Sequence, residues 1–172
     1  MDLLMAAMTV ARQEGLRQLS FGRVAKQAGT NDRTVVYYFP TKDALVTEVL
    51  LAMSAELEQR LSAVAADELA GHRDLLRTAW PVLAHKDADP VFALFFEASG
   101  LAAAGVGPYR DVIPALVAAW LDWAGARLQG PPEQRRAEAE AAVAAIDGLL
   151  LFRQLMGAAA ADRAARLLTV GL

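Results

Sequence analysis

Hydrophobic residues recur with helical spacing at both ends of the first 65 residues. Leu4, Met8 and Ala11 fall on one face of a segment that covers residues 2–14. A second periodic segment begins near residue 41 and continues without Gly or Pro until Gly71. A helix of about 25 residues would be roughly 40 Å long. The pattern therefore predicts a first helix of ordinary length and a much longer one after it.

Residues 19–46, between these segments, read as short helices joined by tight turns. Ser20 fits the N-cap position of one helix, and Gly29 fits the left-handed residue that ends it. Asn31 or Asp32 fits the N-cap of the next helix. Two short helices joined by a glycine turn predict a helix-turn-helix, whose second helix can enter the major groove of DNA.

The remaining chain repeats the helical pattern, so we predict an all-α protein. The expected segments are two helices in 71–101 and single helices at 110–128, 132–156 and 160–168. We predict a DNA-binding head, residues 1–48, and a helical effector-binding and dimerisation body, residues 49–172.

Composition narrows the class of protein. Hydrophobic residues make up 55% of the chain and charged residues 22%, as expected of a globular protein. The absence of cysteine excludes disulfides and cysteine-ligated metals and fits a reducing cytoplasm. No apolar run reaches the roughly 18 residues that cross a bilayer, so we expect no membrane partner. Two separated histidines, His72 and His85, predict no metal site, and we expect no cofactor.

The charge is distributed unevenly along the chain. The net charge is −3, which by itself argues against binding to nucleic acid. Residues 12–42, however, contain six basic and two acidic residues, whereas residues 51–172 contain 11 basic and 15 acidic ones. A basic head on an acidic body is typical of a DNA-reading domain attached to a sensor domain.

The helix-turn-helix also resembles a known family. The matching residues are Val24, Ala25, Ala28, Gly29, Thr34, Tyr37, Tyr38, Phe39, Pro40, Lys42, Ala44 and Leu45. They are similar to the DNA-binding domain of tetracycline-repressor-type (TetR family) regulators, over about residues 4–50 without a gap. Val36, Tyr38 and Asn31 depart from the residues that are frequent in the family. The resemblance implies a homodimeric repressor that binds a palindromic double-stranded DNA operator and is released by a small-molecule effector.

Eight head residues are candidates for DNA contact. Thr34 and Tyr38 are assigned to the phosphate backbone by resemblance, and Tyr37 either to a phosphate contact or to stacking along the sugar backbone. Lys42 is a further phosphate contact, since its charge and the adjacent helix N-terminus both favour an anion. Arg33 is the expected base contact, because a guanidinium can donate twice to guanine. The remaining candidates are Arg23, for a base or phosphate, and Asn31 and Asp32, which either read bases or cap the helix.

Aromatic residues are concentrated in the middle of the chain. An apolar site with few polar groups is typical of ligand pockets, and the resemblance implies an apolar or aromatic effector. The alternative is that these residues fill the core. The candidate ligand-binding residues are Trp80, Phe92, Phe95, Phe96, Glu97, Trp120, Trp123 and Phe152.

The last two predicted helices are apolar on more than one side. A stripe of small residues lets another helix approach closely. We therefore predict a four-helix interface with a second copy, the alternative being that these faces pack within one chain. The candidate interface residues are Ala141, Ala145, Gly148, Phe152, Leu155 and Leu167.

Two other functions compete with this interpretation. An enzyme is disfavoured, because the sequence has no cysteine, no glycine-rich phosphate loop and no GxSxG motif. The alternative is a small-molecule-binding helical dimer whose head no longer reads DNA specifically. Asp32 and Val36, on the predicted recognition helix, keep this alternative open.

Overall fold

The computed structural model describes residues 2–65 and 68–170. Within these ranges the chain is helical, and the predicted all-α fold is confirmed. The α-helices are α1 Leu3–Glu14, α2 Phe21–Ala28, α3 Asp32–Tyr38, α4 Lys42–Ser62, α5 His72–Leu83, α6 Asp89–Ala103, α7 Tyr109–Gly125, α8 Pro132–Met156 and α9 Ala158–Thr169, with a short 3₁₀ helix at Leu16–Gln18. No helix in the described part of the chain is both long and apolar enough to span a bilayer.

The chain divides into two compact units. The first contains Met1–Glu56 and Ala93–Pro114, and the second contains Leu57–Phe92 and Ala115–Leu172. The boundaries between the units fall inside α4, α6 and α7 rather than in loops, because each of these helices contributes residues to both units. The functional division at residue 48 stays a prediction.

Local capping forms the helix-turn-helix as the sequence predicts. The Ser20 hydroxyl accepts a hydrogen bond from the Arg23 N–H at 3.4 Å and begins α2. Gly29, with a φ of 69°, ends α2 in the left-handed conformation, where a side chain would be strained. Asn31, rather than Asp32, caps α3, because its Oδ1 accepts from the Thr34 N–H at 3.1 Å.

Small and branched residues hold the three head helices together. Alanines of α1 allow α2 to approach closely, and the buried Val24 and Ala25 of α2 and Val35 of α3 complete the contact. The members of this core, all at most 2% exposed, are Ala6, Ala7, Val10, Ala11, Leu16, Leu19, Val24, Ala25, Val35, Leu45, Val46 and Val49.

In the second unit, α5, α8 and α9 pack on one another. A core of Leu75, Ala124, Leu128, Ala139 and Ala142 lies between α5, α7 and α8. A carboxylate of Glu138 accepts from the His72 N–H at 2.7 Å and so satisfies a free donor at the start of α5. This contact lowers the pKa of Glu138 below its ordinary value.

Three helix ends differ from the sequence-based expectation. Helix α7 ends at Gly125 rather than 128, because the segment that follows pairs with Leu69 through an isolated β-bridge to Leu128. Helix α9 begins at Ala158, two residues earlier than expected, because Gly157, with a φ of 85°, reverses the chain in one residue. Helix α6 begins at Asp89 and ends at Ala103, two residues beyond the expected limit at residue 101.

Candidate nucleic-acid interface

Helix α3 carries most of the predicted DNA-binding residues. Val35 is fully buried and anchors the helix, whereas Asp32, Arg33, Val36, Tyr37 and Tyr38 are exposed. Asn31 is engaged at the helix start, where its Oδ1 accepts from both the N–H and the Oγ1 hydroxyl of Thr34. In this structure Asn31 therefore acts as a cap.

The two tyrosines are unusually accessible for aromatic residues. Tyr37 is 83% exposed and Tyr38 is 64% exposed. Their rings meet edge to face with centroids 5.3 Å apart, which restricts the orientation of both. Two phenol hydroxyls are thus presented to solvent beside each other, and such hydroxyls can donate to phosphate oxygens.

A groove of about 490 Å³ lies beside α3 within the head. It gathers the polar side chains of Thr30, Thr34 and Tyr38 next to the start of α1. The Asp2 carboxylate, which caps α1 through the Leu4 N–H at 3.0 Å, also lines it. The groove therefore offers hydroxyl groups and one carboxylate to a molecule placed against α3.

Three basic residues of the head are paired with carboxylates. Arg12 binds Glu56, Arg23 binds Glu14, and Arg17 lies 4.0 Å from Glu97. The Arg23 pair is a contact that the sequence did not predict, and a bond from Arg23 to DNA would have to share or break it.

The other three basic residues of residues 12–42 are free for a partner. Within the described ranges, no carboxylate pairs with Lys26, Arg33 or Lys42. Lys42 begins α4, whose cap is formed by the Thr41 Oγ1 accepting from the Ala44 N–H at 3.0 Å. Lys26 was not among the predicted site residues. Its exposure on α2, with no acidic residue three or four positions away in the sequence, was the signal that could have identified it.

The predicted ligand-binding residues divide between the two units. Phe95, Phe96 and Glu97 belong to the first unit, and Trp80, Phe92, Trp120, Trp123 and Phe152 to the second. Neighbouring aromatic rings meet edge to face in two pairs, Phe95 with Phe96 and Trp120 with Trp123, each with centroids 5.6 Å apart. The ligand site stays a prediction.

Two indole N–H groups of the second unit already have acceptors. Trp80 donates to Asp162 at 2.9 Å, and Trp123 donates to the Ser62 hydroxyl at 3.2 Å. The Arg127 guanidinium lies 3.9 Å from the centroid of the Trp123 ring. These contacts give both tryptophans a structural role.

Glu97 is also engaged within the protein. Its carboxylate accepts from the backbone N–H of Leu16 at 3.1 Å and of Arg17 at 3.3 Å. These are the first donors of the 3₁₀ helix that follows Gly15, and they have no intrahelical acceptor. Glu97 therefore fixes the turn between α1 and α2 and is not a free ligand anchor in this structure.

The predicted dimer residues lie on accessible faces of α8 and α9. Phe152 is 40% exposed, Leu155 72% and Leu167 78%. Ala141 and Gly148 are exposed, and Ala145 is half-buried. A Cβ built on Gly148 would meet no atom within 4 Å, so this position is open on the protomer surface.

The amino-acid sequence of the head, residues 3–49, matches the family model of the bacterial regulatory proteins of the tetR family. The head is thus similar to the DNA-binding domain of this family. Members of this family are DNA-binding regulators rather than enzymes, in agreement with the sequence analysis. No curated protein sequence matches the chain.

The fold of the whole chain, head and body, is similar to that of solved transcriptional regulators. A transcriptional regulator from Rhodococcus sp. Rha1 is 23% identical with a TM-score of 0.77, over 97% of this chain and 91% of that one. A putative TetR-family regulator from Rhodococcus sp. is 17% identical with a TM-score of 0.74, over 98% and 96%. The multidrug binding protein EbrR, complexed with imidazole, is 23% identical with a TM-score of 0.70, over 99% and 89%. The chain has the fold of these regulators.

Replacement of Glu97 by alanine is expected to loosen the turn after α1. It leaves the buried Leu16 with an unsatisfied N–H and costs about 2 kcal/mol of stability. Hydrogen exchange of the Leu16 and Arg17 amides should accelerate, as measured by NMR. Glu48→Ala, at an exposed position on α4, is the control; equal exchange in both variants would show that Glu97 does not hold the turn.

Proposed function

We propose that this protein is a homodimeric transcriptional regulator, acting as a repressor, that binds a palindromic DNA operator and is released by a small effector. The observation that carries the proposal is the outer surface of the head. It combines three unpaired cations with exposed hydroxyl side chains around α3, on a domain similar to those of the tetR family.

The roles of these side chains follow from their chemistry. Lys26 and Lys42 supply charge to phosphates, and Tyr37 and Tyr38 supply hydroxyl donors. The Thr34 hydroxyl donates to Asn31 Oδ1 at 3.3 Å, so it would have to break this bond to donate to a phosphate. Arg33 is exposed on α3 and has no carboxylate partner among the described residues, so both its amino groups are free to donate to a guanine. Arg23 is restrained by Glu14 and Asn31 by capping, so their contribution to affinity is smaller.

Dimerisation is supported by the exposed apolar faces of α8 and α9. Helix α8 buries Ala142, Ile146, Leu149 and Leu150 in its own unit and leaves the opposite face open. The exposed large apolar residues of both helices are Leu151, Phe152, Leu155, Met156, Leu167 and Leu168, and the exposed Val170 directly follows α9. Contiguous apolar faces of this kind mark interaction surfaces, and a dimer can read two half-sites about 34–36 Å apart.

The effector is proposed to be an aromatic compound, and a positive charge on it is favoured by Asp147. This carboxylate lies half-buried on α8, and its burial raises the pKa to about 6. Within the described residues no cation pairs with it, so a cationic ligand would offset its desolvation. One solved relative, EbrR, is a multidrug binding protein complexed with proflavin.

The affinity for DNA is expected to fall as the salt concentration rises, and substitutions of Lys42 and Arg33 should weaken binding in different ways. After selection of genomic fragments, fluorescence anisotropy on the enriched site should show that Lys42→Ala weakens all sequences alike. Because it removes one phosphate contact from each protomer of the dimer, the salt slope should fall by about 2. Arg33→Ala should cost about 1–3 kcal/mol for each half-site and relax discrimination at one base pair of each. Lys86→Ala, on an exposed turn of the second unit, is the matched control.

The opposite outcome would exclude DNA binding by the head. If no fragment is enriched, and Lys42→Ala binds duplex DNA as the wild type does, the head does not read DNA. The protein would then be a ligand-binding helical dimer, which is the second candidate function.

Gly148→Glu is expected to convert the dimer into a monomer. A Cβ at this exposed position meets no atom within 4 Å, so the helical content measured by circular dichroism should not change, whereas a charge placed in the apolar interface is costly. Sedimentation velocity measures the change. Gly100→Glu, at an exposed and equally open helical position of α6, should remain dimeric. A Gly148→Glu dimer would exclude this face as the interface.

Effector binding is expected to lower operator affinity by about 5–150-fold, the usual range of allosteric coupling. Proflavin is the first compound to titrate against the operator complex. Asp147→Asn should weaken the response to a cationic compound more than the response to a neutral one, because only the cation gains from the carboxylate. Unchanged operator affinity at saturating compound would exclude that compound as an effector.

A further inference from the structure

Helix α3 carries an apolar side chain that the fold leaves partly exposed. Val36 is 41% exposed, while its neighbour Val35 is fully buried and makes the contact of α3 with the core. Valine is also a poor residue for an exposed helical position, since its branched side chain loses rotamer freedom there. Helix propensity does not explain a valine at this position, and its burial is incomplete.

The neighbours of Val36 leave it prominent on the outer face of α3. Asp32 lies one turn before it, but its Oδ2 is 3.5 Å from the position of a Cβ on Gly22 of α2. The Asp32 carboxylate is thus placed against α2. Arg33, three residues before Val36, has no carboxylate partner in the described parts of the chain. Side chains at this spacing lie about 5–6 Å apart on one helix face.

The chemistry of valine limits what it can recognise in DNA. It has no donor or acceptor, so it cannot bond to the polar edges of the bases. In the major groove the 5-methyl group of thymine is the apolar feature that distinguishes one base pair from the others. Base pairs are spaced by about 3.4 Å. A separation of 5–6 Å between side chains therefore corresponds to one or two base-pair steps.

Resting on the proposed DNA-binding function, we propose that Val36 is a specificity-determining residue that packs on the methyl group of a thymine. This thymine lies one or two base pairs from the guanine that Arg33 contacts in each half-site. A thymine at this place in each half-site is a feature of the operator that contacts to phosphates alone would not require.

The test removes the methyl group without changing any hydrogen bond. Each thymine of the selected half-site is replaced in turn by deoxyuridine, and dissociation constants are measured by fluorescence anisotropy at fixed salt. For wild-type protein, one substitution near the Arg33-dependent guanine should weaken binding roughly fourfold, the value of one buried methyl group. Val36→Ala should bind the thymine and deoxyuridine duplexes equally.

A matched valine serves as the control. Val106 is also 41% exposed but lies in the loop after α6, so Val106→Ala should keep the fourfold discrimination. Circular dichroism should show that both variants melt as the wild type does. The inference is overturned if wild-type protein ignores every deoxyuridine, or if Val36→Ala keeps the discrimination. A protein that binds no duplex at all overturns the proposed function and this inference together, and the two failures are thereby distinguished.

Discussion

The exposed side of α3, which carries most of the candidate DNA-binding residues, depends on the burial of one valine, Val35. Helix α3 has seven residues, and isolated helices shorter than about 12–15 residues are marginal in water. Val35 in the core, Asn31 at the start and the largely buried Phe39 at the end hold it in place. Because so few residues anchor the helix, the others are free to meet a partner.

The head also depends on residues far away in the sequence. Glu97 reaches the turn after α1 across 81 residues to bond the Leu16 N–H. Tyr109 is buried in the same unit, and its pKa is raised by that burial and by the nearby carboxylates of Glu97 and Asp43. Residues 93–114 are therefore part of the structural support of the first unit, although they follow the helix-turn-helix by about fifty positions.

Local signals were predictable from sequence, and long-range pairings were not. Ser20 and Gly29 determine helix ends through their own backbone and side-chain chemistry, and the bounds of α8 follow from Pro132 and Gly157. The role of Glu97 and the pairing of Arg23 with Glu14 arise only when separate helices meet. Three of the six cations in residues 12–42 pair with carboxylates, so the net charge of this segment overestimates the number of cations available to a partner.

The pairing of half of the head's cations has a consequence for target search. Sequence-independent attraction to DNA grows with each phosphate neutralised, and a genome offers an enormous excess of unrelated sites. If the head binds DNA as proposed, the three cations that no carboxylate of the described residues pairs with would hold it only weakly to that excess. More copies would then remain free to find an operator, so that fewer molecules would suffice to occupy it.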